Sequence, residues 1–293
     1  MKELVVISGK GGTGKTSVVA SLAVLGAPVV VADCDVDAAD LHLILAPKIQ
    51  THHEFIQGHV AVIKEDVCVG CGTCQSHCRF EAIGQTALAS GAVRFDVDAH
   101  ACEGCGVCVE VCPAKAIEFP DQMCGQWFES ETRVGAMVHA RLGIGADNSG
   151  KLVSLVRKRA SEIAKSQALE WILVDGPPGV GCPVIASITG ASAVLIVTEP
   201  TLSGEHDLER TLALTKHFDV PAFVCVNKWD INPEMADRIE QLASTAGAQC
   251  VARLPYNSIV TQAQILGQTV ADDPDGPLTE TLNKIWKQLC QTV

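Results

Sequence analysis

Near the N-terminus, Gly9-Lys10-Gly11-Gly12-Thr13-Gly14-Lys15-Thr16 has the residue types and spacing G-x-x-x-x-G-K-[ST] of a phosphate-holding loop. Glycines here let backbone N–H groups turn inward on a phosphate, and a helix opening directly after them adds the positive end of its dipole. Lys15 is placed to neutralise β- and γ-phosphate oxygens and the Thr16 hydroxyl to ligate Mg²⁺, with Ser17 next in the loop-to-helix run. Two acidic stretches, Asp33-Cys34-Asp35-Val36-Asp37 and Asp175-Gly176-Pro177-Pro178-Gly179, follow apolar runs and supply carboxylates, which suit a hard cation such as Mg²⁺. The second kind of chemistry is thiol. The chain has 14 cysteines, and eight of them fall in two regular groups between Cys68 and Cys112. That clustering points to metal ligation in a reducing compartment rather than to disulfide staples.

Such residues need a scaffold that brings strand ends together. Leu4–Ile7 and Val29–Ala32 read as buried strands, with a helix over Thr16–Leu25 between them. Further on, Ser149 is placed to cap a helix through about Gln167, and strands are expected at Trp171–Val174, Ala193–Val197, Ala222–Val226 and Gln249–Ala252. Helices around Glu205–Lys216, Glu234–Ala246 and Leu278–Leu289 separate or follow them. Continuous apolar strands alternating with helices predict a doubly wound α/β fold with a mostly parallel sheet covered on both faces.

The stretch from Lys64 to Pro120 differs in character, being rich in cysteine and glycine with short elements. It contains a duplication: Cys68-Val-Gly-Cys71-Gly-Thr-Cys74-Gln-Ser-His-Cys78 recurs as Cys102-Glu-Gly-Cys105-Gly-Val-Cys108-Val-Glu-Val-Cys112. The expected organisation is therefore a discontinuous α/β domain over 1–63 and 121–293, with a small α+β domain inserted over 64–120.

Apolar residues make up 47% of the chain and charged residues 19%, enough for a sizeable core. The formal net charge is −12 and no Lys/Arg run supplies the footprint that nucleic-acid binding needs, so no nucleic-acid partner is expected. No run of 18 apolar residues suggests a membrane span, and the apolar stretch before the first glycines is too short for a signal peptide. A cytoplasmic location is expected.

Lys10-Gly-Gly-x-Gly-Lys15-Thr resembles the deviant phosphate loop of the MinD/ParA/nitrogenase-iron-protein class of P-loop ATPases. The resemblance implies ATP and Mg²⁺ as ligands and a homodimer, or a heterodimer with a paralogue, in which Lys10 reaches the partner's nucleotide. It makes Lys10, Lys15 and Asp35 the catalytic set, with Asp35 orienting the attacking water. Asp175 resembles the second-switch residue that holds Mg²⁺, with Asp35 a further candidate ligand. Asn227, ending a later strand, falls where this class contacts the adenine base.

C-x₂-C-x₂-C-x₃-C, occurring twice, resembles bacterial two-cluster ferredoxins, in which the fourth thiolate comes from the other half. On that pattern Cys68, Cys71, Cys74 and Cys112 hold one [4Fe–4S] cluster, and Cys78, Cys102, Cys105 and Cys108 the other. Pro113 follows the second motif, whereas Arg79 stands in that place in the first and sets a cation near one cluster. Two Cys₄ zinc sites could use the same ligands. The leading expectation is an ATPase whose nucleotide state controls dimer geometry and electron transfer to a redox or metallocofactor-carrying partner. The alternatives are a scaffold for metallocofactor assembly, and a positioning module with structural clusters.

Among the other cysteines, core packing is expected for Cys225, Cys250 and Cys290, and Cys34 reads as a small residue at a strand end. Cys182 lies seven residues after Asp175, the offset of an interface-cluster ligand in the nitrogenase iron protein, with Cys124 as its candidate companion. His52, His53 and His59 read as a solvated loop, His139-Ala140-Arg141 as part of a linking segment, and the C-terminal apolar stripe as docked on the core.

Overall fold

The computed structural model describes residues 1–88, 91–143 and 149–293. The first apolar run forms β1 (Lys2–Ser8), in which Leu4 to Ile7 have no exposed surface. After the glycine loop comes α1 (Lys15–Gly26), apolar on nearly every side because Val18 to Ala23 are all buried. β2 (Val30–Asp33), α2 (Leu41–Leu45) and β3 (Lys48–His59) follow. The cysteine-rich stretch forms β4 (Val62–Ile63), α3 (Thr73–His77), β5 (Ile83–Ala87), β6 (Val93–Val97), α4 (Val107–Glu110) and β7 (Ile117–Glu118). Next come β8 (Asp121–Thr132), β9 (Gly135–Leu142), α5 (Ser149–Ser166), β10 (Trp171–Pro178), α6 (Cys182–Ile188), β11 (Ala193–Thr198) and α7 (Leu202–His217). The chain ends with β12 (Ala222–Asn227), α8 (Pro233–Thr245), β13 (Gln249–Leu254), α9 (Ile259–Ile265) and α10 (Thr279–Thr292).

Two compact units result. The first comprises Met1–His53, Gln126–Leu142 and Ser149–Val293; the second is built mainly on Glu54–Gly125, wider than the 64–120 read from the sequence. The central sheet has the order β13-β12-β11-β1-β10-β2-β9-β8-β3, and from β13 to β9 every pairing is parallel. Helices cover both faces, so these strands read as continuous apolar runs. One face carries α1 and α10, where Leu22, Leu282, Ile285 and Leu289 pack on Leu4, Val6, Val31 and Leu173. α5 and α6 pack together and against β10. The C-terminal stripe thus docks on the core: Trp286 packs against Trp171 (ring centroids 5.0 Å apart) and fills the space where a Gly26 side chain would stand. No helix of the described residues is long and apolar enough to cross a membrane.

Strands β1, β2 and β10 stand side by side, and their register places Asp33 opposite Asp175 at one end of the sheet. The loop from Gly9 to Gly14 leaves β1 at that same end. Ligands of open α/β sheets bind outside the carboxyl ends of the strands, where the strand order reverses, as it does at β1.

Two strands depart from the sequence reading. His52, His53 and His59 lie in β3 rather than a loop; His52 stacks on Phe128 and His53 on Trp127 (centroids 5.2 and 4.1 Å apart). His139-Ala140-Arg141 is not a linker but part of β9, paired beside β2 with Asp33 opposite His139.

In the second unit, β4 pairs antiparallel with β7 and β5 with β6. Its small core gathers Ala61, Cys74, Ile83, Phe95 and Ile117. The duplication is visible in the backbone: Gly72 and Gly106 adopt φ of 73° and 74° at the N-caps of α3 and α4. Each stands beside an equivalent ring, Phe95 in one half and Phe119 in the other, with a Cβ position 3.4 Å from it. Glycine meets the left-handed conformation at both positions.

Candidate functional site

Lys15 opens α1 and is buried, with its ammonium turned into a nest of carboxylates. Its Nζ lies 2.6 Å from Asp175 Oδ1 and 3.4 Å from Asp35 Oδ2. Burial alone would depress this ammonium, but the fields of Asp175 and Asp35, with Asp33 behind them, outweigh it and raise its pKa. Asp33 is fully buried, and desolvation followed by the nearby Asp175 pushes its carboxyl well above the ordinary range. Burial also raises Asp35, with Lys15 opposing the shift. Asp33 Oδ1 accepts from the Asp35 N–H at 3.2 Å. Asp33 Oδ2, Asp175 Oδ2 and Thr13 Oγ1 are buried without a hydrogen-bond partner among the described residues. Buried polar atoms are rarely left so, and three orphans around one lysine mark a site built for a further polar group.

Lys10 points away from this nest. Its Nζ donates to Thr201 Oγ1 (3.3 Å) and Ser203 Oγ (3.0 Å), and stands 3.4 Å from Glu199 Oε2. Glu199 also takes an ion pair from Lys228, whose Nζ donates to the Gly12 carbonyl at 3.2 Å. Asn227 braces the same loop, its Nδ2 donating to the Thr13 carbonyl at 2.7 Å. Gly14 has φ 89°, and a methyl group there would collide with the Asn227 amide, so both conformation and space demand glycine.

A cleft of about 760 Å³ opens over these residues. Gly11 to Ser17, Asp35 and Asn227 line it, with an apolar flank that includes Leu254 and Leu278. That volume suits a nucleotide-sized ligand. The structure therefore brings together loop residues 11–17, Asp35, Asp175 and Asn227, and keeps Lys10 to one side. Sequence reasoning gives Asp33 no role of its own and does not single out Glu199, Thr201 or Ser203. Serine, threonine and glutamate one strand away from a loop carry no spacing signature.

The eight motif cysteines divide between two small cavities in the second unit. Cys68, Cys71, Cys74 and Cys112 line one, with Ile63, Phe95 and Ile117. Cys78, Cys102, Cys105 and Cys108 line the other, with Phe80, Phe119 and Glu103. Each cavity draws three thiols from one half of the duplication and the fourth from the other. Burial raises the thiols of Cys74 and Cys108, equivalent positions, while a hydrogen bond with Thr73 lowers that of Cys71. The Ala116 N–H donates to Cys112 Sγ at 3.3 Å. Among the described residues no group of three or more His, Cys, Asp or Glu stands close enough to hold a single metal ion.

Cys124 and Cys182 differ in setting. Cys124 is buried and its thiol donates to the Gln57 carbonyl at 3.0 Å; Cys182 is exposed at the start of α6. Cys34 and Cys225 are buried, while Cys250 and Cys290 are half-buried.

A parallel sheet with a Gly-rich, lysine-bearing loop at its switch point and acidic strand ends alongside defines a P-loop nucleotide-binding protein. The chain belongs to the CobQ/CobB/MinD/ParA nucleotide-binding domain family, whose model matches residues 4–270. It is 34% identical over 233 residues to the uncharacterized protein MJ0578 of Methanocaldococcus jannaschii, covering 78% of this chain and 79% of that one. Its fold is similar to that of the cell division ATPase MinD of Pyrococcus furiosus (TM-score 0.59, 18% identity, 100% and 99% of the two chains). The MinD of Pyrococcus horikoshii complexed with Mg-ADP is similar to the same degree (TM-score 0.59, 17% identity, 98% and 95%).

Proposed function

We propose that the chain is an ATP-hydrolysing switch that works as a homodimer or with a paralogue. Its second unit then carries two [4Fe–4S] clusters, and nucleotide state governs electron delivery to a partner protein. The observation that carries the redox half is the crossed division of eight thiols between two cavities. A cubane needs four soft thiolates set around a body larger than one ion, and each cavity offers four together with an apolar lining. Cys68, Cys71, Cys74 and Cys112 would hold one cluster and Cys78, Cys102, Cys105 and Cys108 the other, supplying single electrons at low potential when bound. Ile63, Phe95 and Ile117 exclude water from the first cavity, and Phe80 and Phe119 from the second.

Family membership and the cleft support the nucleotide half. Phosphate oxygens compete with Asp175 for the Lys15 ammonium, and the released carboxylate, with the Thr16 hydroxyl, is the hard oxygen donor set Mg²⁺ requires. Asp35, once parted from Lys15, is free to orient a water for attack on the γ-phosphorus. Lys10 would serve the partner's nucleotide across the dimer, and Asn227 the base. Charge neutralisation and positioning supply most of the rate in such chemistry.

A second reading, a MinD/ParA-like interaction module with structural clusters, is favoured by the full-length fold similarity to MinD. Anaerobically purified chain separates the two. Iron and acid-labile sulfide are counted, and reduction of a low-potential acceptor dye is timed with and without ATP. ATP-dependent transfer is the expected result; clusters indifferent to nucleotide favour the interaction module, and iron passed on to an apo-protein favours cofactor assembly.

A further inference from the structure

We propose that Glu199 is a positioning residue of the phosphate loop, which holds Lys10 and Lys228 together and competes with a nucleotide's phosphates for them. Glu199 follows β11, and its carboxylate is largely buried, with 14% of the side chain exposed. One oxygen is bonded to Lys228 and the other lies 3.4 Å from Lys10. Both lysines act on the loop itself: Lys10 belongs to it, and Lys228 donates to the Gly12 carbonyl at 3.2 Å.

The seat of Lys10 needs this carboxylate. Its ammonium sits on Thr201 Oγ1 and Ser203 Oγ, and Thr201 is the N-cap of α7, accepting from the Gly204 N–H at 3.0 Å. A helix N-terminus carries partial positive charge and repels a cation. Glu199 is the anion that offsets this repulsion, so two hydroxyl hydrogen bonds and this one ion pair hold Lys10 against the opposing field. A triphosphate is a stronger anion than a carboxylate, and nucleotides draw on these ammonium groups, Lys228 in the chain's own cleft and Lys10 across the dimer. Each lysine it takes must leave Glu199. The residue therefore weakens phosphate binding and sets how readily Lys10 is released.

This inference rests on the reading of the cleft as a nucleotide site, and the experiment separates the two. Equilibrium binding of ATP and ADP is measured on the full chain for wild type, E199Q, E199D and the K10Q/K228Q background. E199Q should tighten ATP binding by about 5-fold, the upper end for one partly exposed ion pair. E199D, which keeps the charge, should stay near wild type. In K10Q/K228Q the added E199Q change should shift affinity by less than about 2-fold, because the groups it acts through are gone. Lysine acylation mapped by mass spectrometry gives an independent reading, with Lys10 and Lys228 labelling faster in E199Q. Unchanged or weaker ATP binding in E199Q, or equal tightening without the lysines, overturns the inference while leaving the nucleotide reading intact. A wild-type chain that binds neither nucleotide overturns both.

Discussion

Lys15 and Asp175, far apart in sequence, form a 2.6 Å ion pair in which both partners are almost wholly buried. The lysine is the only cation facing Asp33 and Asp35 as well among the described interactions of that nest. Removing it leaves buried carboxylates with nothing to balance them. K15M should therefore lower the unfolding free energy, measured in urea at neutral pH without nucleotide, by about 3–5 kcal/mol. A substitution that merely abolished phosphate binding would leave that stability untouched.

Asp33 should behave in the opposite sense. Its second oxygen has no partner and burial raises its pKa, so its ionised form costs stability. A folded-state pKa above the unfolded one means stability present at acid pH and lost as pH rises through the folded value. D33N removes the charge and should stabilise the nucleotide-free chain by about 1–3 kcal/mol at pH 8, with the gain shrinking on acidification. If D33N is destabilising at pH 8, the carboxylate has a protein partner that the geometry does not provide.

His139 gives a second pH signature. It is 9% exposed, and its Nε2 is paired with Ser130 Oγ at 2.9 Å. Burial, then His42 and Arg141, pulls its pKa down to about 4. The unfolded chain binds this proton near pH 6.5 and the folded chain only near 4, so stability falls as pH drops across that window. The loss is at most on the order of 3 kcal/mol. H139Q should flatten this part of a stability-against-pH curve, and an unchanged slope would locate the acid sensitivity elsewhere.

The strands nearest the phosphate loop were legible because their periodicity is simple. β1, β2, β11 and β12 carry mainly apolar cores and end in Ser, Asp, Thr or Asn, and the apolar run of β10 gives way to Asp175, as in buried parallel strands beside a site. β3 was illegible for the converse reason. Its first seven residues, Lys48 to Glu54, are all exposed, so no alternation of apolar and polar side chains marks them as a strand. β9 carries a buried histidine where the pattern expects an aliphatic, its polar ring satisfied by Ser130. Glu199 lay beyond sequence reasoning because only the fold brings it between Lys10 and Lys228.

The crossed division of thiols can be separated from a simple one by paired substitutions. C71S/C112S alters one cavity alone and should leave about four irons per chain of the eight expected for two cubanes. C71S/C78S takes one thiol from each cavity and should deplete both. The reverse pattern, with about four irons kept in C71S/C78S and both clusters lost in C71S/C112S, would mean that the fourth ligands do not cross over.

Since each half of the duplication places its last cysteine in its twin's cavity, neither half completes a cavity alone. During synthesis the cavity of Cys102, Cys105 and Cys108 already has Cys78 waiting, whereas that of Cys68, Cys71 and Cys74 stays one thiol short until Cys112 emerges from the ribosome. Both cavities gain their fourth thiol within four residues of each other, and a chain that stops before Cys108 completes neither. The two sequence copies, separable on paper, are bound to a common fate in biogenesis.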